Sequence, residues 1–149
     1  MTPSSAVGND IVDLEEPRTG GKHSDPRFVA RVLGEDERAV LARAEDPAVT
    51  LWAFWAAKEA AYKVASKLRG APPVFVHAAF SVIWSELGPD RWEGHVAYEE
   101  LEIPVVAVRS GPMIHAVAVS GAEIGSALPG AELLDAPADT WGARLAGLL

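Results

Sequence analysis

The chain contains no cysteine, which excludes disulfides, thiol nucleophiles and cysteine-ligated zinc. Basic residues are scarce as well: 13 Lys and Arg stand against 21 Asp and Glu, for a net charge of -8. A surface of that sign does not broadly attract nucleic acid or an anionic membrane, so neither is expected as a partner and any anion site has to be local. No stretch approaches the roughly 18 apolar residues of a membrane span. The opening MTPSSAVGNDIVDL lacks both the basic start and the apolar run of a signal peptide. A soluble protein in a reducing, cytoplasmic setting is the expectation. Internal repeats are absent too. What is present is ordinary, with 49% hydrophobic and 23% charged residues over 149 positions, the size and make-up of one globular domain.

Residues 6–14 have the composition of a strand, and a Gly, Pro and charge-rich loop follows over 15–26. A period of two puts Gly8, Asp10, Val12 and Leu14 on one face and Asn9, Ile11 and Asp13 on the other. A helix is expected behind Ser24 or Asp25, with Pro26 in its first turn and Gly34 at its stop. A second helix is predicted over 35–44, and a third opens at Asp46 and Pro47 and runs to about Leu68. Gly70, Pro72 and Pro73 end it. Four strands are then expected, over 74–84, 91–98, 103–108 and 113–120, broken by the turn segments LGPD and SGP. The order predicts an α+β fold, a long buried helix packed on a mostly antiparallel sheet. From about residue 121 a loosely structured tail is expected, with a short amphipathic helix over 139–149.

The third helix carries the informative residues. LWAFWAAKEAAYKVASKL is apolar almost all the way round, which predicts burial, yet Glu59 projects into the sector of Trp52, Trp55, Tyr62 and Ser66. Three readings account for a carboxylate there: an ion pair with Lys63 or exposure at the helix rim, a general acid or base, or a metal ligand. Asp10, among apolar neighbours on its strand face, poses the same question, with an edge position in water as the plain answer. If Asp10 and Glu59 meet, two carboxylates without cysteine favour a hard cation such as Mg2+. Lys58 and Lys63 beside Glu59 would then be phosphate contacts.

GNDIVDL at 8–14 and WAAKEAAYK at 55–63, with Asp10 and Glu59 set 49 positions apart, resemble the two signature blocks of the phosphopantetheinyl transferase superfamily. RFVARVLGEDE at 27–37 is similar to a helix of its short holo-acyl-carrier-protein synthase branch. The resemblance implies the 4'-phosphopantetheinyl transferase fold. It also implies transfer of phosphopantetheine from coenzyme A to a serine of an acyl or peptidyl carrier protein, with 3',5'-ADP as the departing group. By the same resemblance Asp10 and Glu59 hold Mg2+ with the coenzyme A pyrophosphate, Lys63 meets those phosphates, and Lys58 does so or supports the site. The serine proton would go to Glu59 or to a metal-held water. Val12, where two-lobed members often carry another acid, implies only two protein carboxylates on the metal. Arg27 and Arg31, four apart on one helical face, match positions that meet the acidic helix of the carrier protein; solvated charges are the plain alternative. Short members commonly assemble as trimers with coenzyme A between subunits, so a homotrimer is implied.

The chain departs from that pattern twice. KLRGAPPVFV replaces a glycine-rich turn with Gly70 and two prolines, and VRSGPMIHAVAVS stands where a Ser and His pair is usual. Arg109 and Ser110 are the residues there that would serve the nucleotide phosphates. His115, among alternating Ala and Val, reads as a packed strand histidine, and His23, His77 and His95 lack the spacing of a metal site. Two further hypotheses remain open: a transferase-like protein that binds a carrier protein or coenzyme A without turnover, and a structural α+β domain whose Asp10 and Glu59 lie far apart.

Overall fold

The computed structural model describes residues 5–72 and 74–120. Strand β1 (Ala6–Asp13) is followed by two short 3-10 turns (Pro17–Thr19 and Lys22–Ser24), then helices α1 (Pro26–Val32), α2 (Glu35–Ala42) and α3 (Pro47–Arg69). A third 3-10 turn (His77–Ala79) leads into strands β2 (Ser81–Leu87), β3 (Arg91–Tyr98), β4 (Leu101–Ser110) and β5 (Met113–Ser120). The sheet order is β1-β5-β4-β3-β2, and every neighbouring pair is antiparallel. The last four strands form a meander that the first strand joins at its far side, and α3 lies across β1, β5 and β4. This is the α+β arrangement expected, a long helix on an antiparallel sheet.

Local chemistry sets the helix ends. The Asp25 side chain accepts from the backbone N–H groups of Arg27 and Phe28, so Asp25 rather than Ser24 caps α1. Asp46 caps α3 through Val49 N–H, and Gly70 closes it in the left-handed conformation (φ 71°). Small residues then let α3 sit low on the sheet. Ala53, Ala56, Ala57, Ala60, Ala61 and Ala65 are all buried. At Gly8 the approach is closest, because a Cβ there would run into the Ala60 carbonyl oxygen.

One strand is shorter than the sequence suggests. Residues 74–80 were expected to begin β2, but Val74 and Val76 are exposed, and the chain makes the 3-10 turn at His77–Ala79 instead. The reason is a competing donor: the Lys58 ammonium takes the carbonyls of His77 and Phe80, which a longer strand would have offered to the ladder. The expected loop 15–26 likewise contains two 3-10 turns, the first held by the Thr19 hydroxyl on the Leu14 and Glu16 carbonyls. The tail expected from residue 121, with its helix over 139–149, lies outside the described residues. Among the described residues no helix is long and apolar enough to cross a membrane.

Candidate active site

The alternation of β1 places its residues as the period of two requires. Ala6, Gly8 and Val12 are buried while Ile11 is half exposed, so the face that carries Asp10 is the one turned to α3. Because Gly8 admits α3 so closely, Asp10 comes within electrostatic reach of Glu59, one residue before Ala60. The Asp10 side chain is only 19% exposed. Burial, and after it the negative charge of Glu59, push its pKa up from 3.8 to about 7, against the opposing pull of Lys63 and a backbone hydrogen bond from Ile11. The two carboxylates therefore share one neighbourhood, and the structural reading that required them far apart fails.

Lys63 does not pair with Glu59 as an i,i+4 neighbour. Its ammonium donates to the Asn9 carbonyl at 2.5 Å and stands 4.0 Å from the Asp10 carboxylate. One turn on, Lys67 donates to the Val7 carbonyl at 2.6 Å. These bonds tie the outward face of α3 to β1, and Lys63 remains about half exposed. Glu59 has a different partner, His77, whose Nε2 is 3.1 Å from its Oε1.

Lys58 is elsewhere. Consecutive helix residues point about 100° apart, so while Glu59 faces the rim, Lys58 is buried completely. Its ammonium donates to Glu37 Oε1 (2.8 Å), His77 O (3.0 Å) and Phe80 O (2.5 Å). Glu37 is buried as well and completes the set, accepting from Gly34 N–H (2.7 Å) and Val82 N–H (2.8 Å). Burial lowers the Lys58 pKa, and the Glu37 charge and hydrogen bond oppose that. All three ammonium protons are committed inside the protein, which leaves none for the phosphate contact expected of Lys58.

Arg109 and Ser110 end β4. Arg109 donates through Nε to Gly111 O (3.1 Å) and stands 3.8 Å from Asp46, the N-cap of α3. Thirteen residues of helix separate Asp46 from Glu59, about 20 Å along the axis, so the Arg109 guanidinium is directed to the N-terminal end of α3 rather than to Glu59, while across β5 Arg109 and Ser110 stand in register with Val12 and Asp13. Arg27 and Arg31 are both exposed on α1. His115 is half buried on β5, and burial lowers its pKa, as fits a packed strand position. Sequence reasoning missed two residues: Glu37 and His77. The signal for His77 was within reach, since an extended FVH run puts Phe75 and His77 on one face, but nothing in it pointed to Glu59.

Residues 6–86 match the profile of the 4'-phosphopantetheinyl transferase superfamily. The chain belongs to that superfamily. Its members move the phosphopantetheine of coenzyme A onto carrier proteins, and this chain is a transferase of that superfamily. Among solved structures, it is similar to the holo-[acyl-carrier-protein] synthase of Neisseria meningitidis, at 20% identity and a TM-score of 0.58 over 76% of this chain and 95% of that one. An ACPS–CoA complex from Chronobacterium ammoniagenes aligns at 24% identity and a TM-score of 0.60 over 78% and 96%. The holo-[acyl-carrier-protein] synthase of Thermotoga maritima aligns at 18% and 0.53 over 77% and 62%. At these identities the likeness carries the fold. No curated protein sequence matches the chain. The transferase profile spans both signature blocks, and so covers Asp10, Glu59 and Lys63 together.

Proposed function

We propose that Asp10, Glu59 and Lys63 form the centre at which this transferase passes 4'-phosphopantetheine from coenzyme A to the serine of an acyl or peptidyl carrier protein, in a Mg2+-dependent reaction that releases 3',5'-ADP. The observation that carries the reading is the placement of the Asp10 carboxylate, largely buried, 4.0 Å from the Lys63 ammonium and within electrostatic reach of Glu59, where burial first and the Glu59 charge second raise its pKa to about 7. Two acidic oxygen ligands with excess negative charge fit a hard divalent cation, which accepts such donors and keeps positions open for phosphate oxygens. When bound, Mg2+ would neutralise the pyrophosphate and the charge that develops on it as the bond to the arm breaks. Asp10 and Glu59 would hold it. Lys63, half exposed and already beside Asp10, would turn its ammonium to the same phosphates. Glu59 or a metal-held water would take the serine proton. Arg27 and Arg31 would receive the acidic carrier, and assembly as a homotrimer with coenzyme A between subunits is the arrangement the resemblance implies.

The test is direct: incubate the protein with Mg2+, coenzyme A and a panel of apo carrier proteins, and read the added phosphopantetheine by intact mass. Transfer to at least one carrier is expected, with Glu59→Gln folded and inactive. Carrier binding without transfer to any would leave the alternative of a non-catalytic binding protein. An active Glu59→Gln variant would remove Glu59 from the chemistry.

A further inference from the structure

We propose that His77 is a positioning residue for the Glu59 carboxylate, an inference that rests on the reading of Glu59 above. Its Nε2 lies 3.1 Å from Glu59 Oε1, and since a carboxylate oxygen accepts, the bond requires the proton on Nε2. The donor is immobile for two separate reasons. The imidazole is sandwiched between Trp55, with ring centroids 4.1 Å apart and planes at 21°, and Phe75, at 4.0 Å and 27°. Phe75 in turn stacks on Tyr62 at 4.3 Å and 4°, so the histidine belongs to a column of four rings along the rim of α3. The main chain of His77 is fixed from the other side, where the Lys58 ammonium, itself held by Glu37, donates to the His77 carbonyl at 3.0 Å. Consecutive residues of α3 thus grip one residue from two directions: Lys58 holds its backbone from the interior, and Glu59 receives its side chain at the surface.

The consequence concerns Glu59. A glutamate at the rim of a helix, with its side chain 24% exposed, can still sample several rotamers, each of which aims its oxygens differently. One hydrogen bond from a fixed ring selects among them. It occupies Oε1, while among the described residues Oε2 accepts no hydrogen bond, leaving that oxygen for a cation or a proton. Partners of this kind behind a metal-binding carboxylate typically govern affinity by 10–100-fold. The ring's packing and its hydrogen bond are separable by substitution. His77→Phe keeps an aromatic ring in the stack and removes the donor; His77→Gln keeps a donor and removes the ring.

The experiment compares the two variants with the parent in steady-state transfer and in Mg2+ binding by calorimetry, and reads the His77 tautomer in the parent by long-range 15N NMR. We expect His77→Phe to weaken Mg2+ binding roughly tenfold or more and to lower kcat with the carrier KM unchanged. His77→Gln should recover a substantial part of both losses, and the parent should carry its proton on Nε2. A parent that transfers while His77→Phe behaves identically would overturn this inference alone, as would equal losses in the two variants, which assign the role to packing. Should His77→Phe fail to fold, the tautomer decides, and a proton on Nδ1 only overturns the proposal. A parent with neither transfer nor Mg2+ binding overturns the functional reading and this inference with it.

Discussion

Asp10 on β1 and Glu59 on α3 are electrostatic neighbours, and burial together with the Glu59 charge lifts the Asp10 pKa to about 7. In the unfolded chain that carboxyl titrates near its ordinary 3.8, so across the interval between the two values the native protein holds a proton that the unfolded chain has released. The associated stability is complete below the unfolded value, shrinks as pH rises and is gone above the folded one. Cation binding runs the opposite way, since it needs the carboxylate. We therefore expect Mg2+ to raise Tm more at about pH 8 than at about pH 5.5. Asp10→Asn should make the metal-free protein more stable than the parent at the higher pH, remove most of the Mg2+ effect and abolish transfer. Thermal unfolding of both proteins at the two pH values, with and without Mg2+, checks this. A variant with the parent's pH dependence would show that Asp10 does not carry the strain.

The juxtaposition depends on Gly8. Its missing side chain is filled by α3: an added Cβ would collide with the Ala60 carbonyl oxygen and approach Lys63 Cβ to 2.9 Å. A backbone carbonyl and a Cβ fixed to the helix leave no flexible group to yield, so Gly8→Ala should push β1 and α3 apart and cost about 1–3 kcal/mol of stability. The shift moves Asp10 with it. Urea unfolding should register the loss, and transfer should fall by more than the folded fraction does. Parental activity in a stable Gly8→Ala protein would contradict the close approach.

How much of this was legible in the chain depends on the range of the interaction. Asp10 and Glu59 could be assigned faces because strand and helix periods are local, and two charged residues on apolar faces stand out against them. Lys58 misled for a related reason. It stands beside Glu59 in sequence, yet neighbours on a helix diverge, and its partner Glu37 lies 21 positions earlier on another helix, a pairing that leaves no periodic mark. Residues 74–80 read as strand from their Val and Phe content, whereas the side-chain ammonium that diverts the His77 and Phe80 carbonyls comes from α3. Arg109 is legible as a strand end. Which end of α3 that strand meets is a property of sheet order, and the contact with Asp46 appears only in three dimensions.

The buried Lys58–Glu37 pair makes a prediction that separates support from phosphate binding. Both side chains are almost wholly buried, and Glu37 joins α2 to β2 through Gly34 and Val82. Lys58→Met would leave the Glu37 carboxylate buried without its counter-charge, at a cost of about 3–5 kcal/mol. Replacing both partners, as Lys58→Met with Glu37→Gln, should recover part of that loss, because no uncompensated charge then remains. A double-mutant cycle in urea measures the coupling. Unchanged stability in Lys58→Met, with a raised KM for coenzyme A as its sole effect, would return Lys58 to the phosphates.

Arg27 and Arg31 test the partner face. Four residues apart on α1, they present two exposed cations on a protein of net charge -8, and Arg31 lies over the Phe28 ring at 5.9 Å, with Lys22 over the same ring at 5.3 Å. That contact keeps the basic groups gathered on one surface. An acidic carrier approaching a negative enzyme is repelled except where such a patch reverses the local potential. Arg27→Glu with Arg31→Glu should therefore raise the carrier KM by about tenfold or more at low ionic strength, leaving kcat and the coenzyme A KM near their parental values. The gap between variant and parent should narrow as salt is added, because screening beyond about 10 Å is already strong at 0.1 M. Measuring the carrier KM of both proteins across a salt series distinguishes the possibilities. A carrier KM that stays at the parental value, or a change in kcat alone, would mean that these arginines are solvated charges and that the carrier docks on another face.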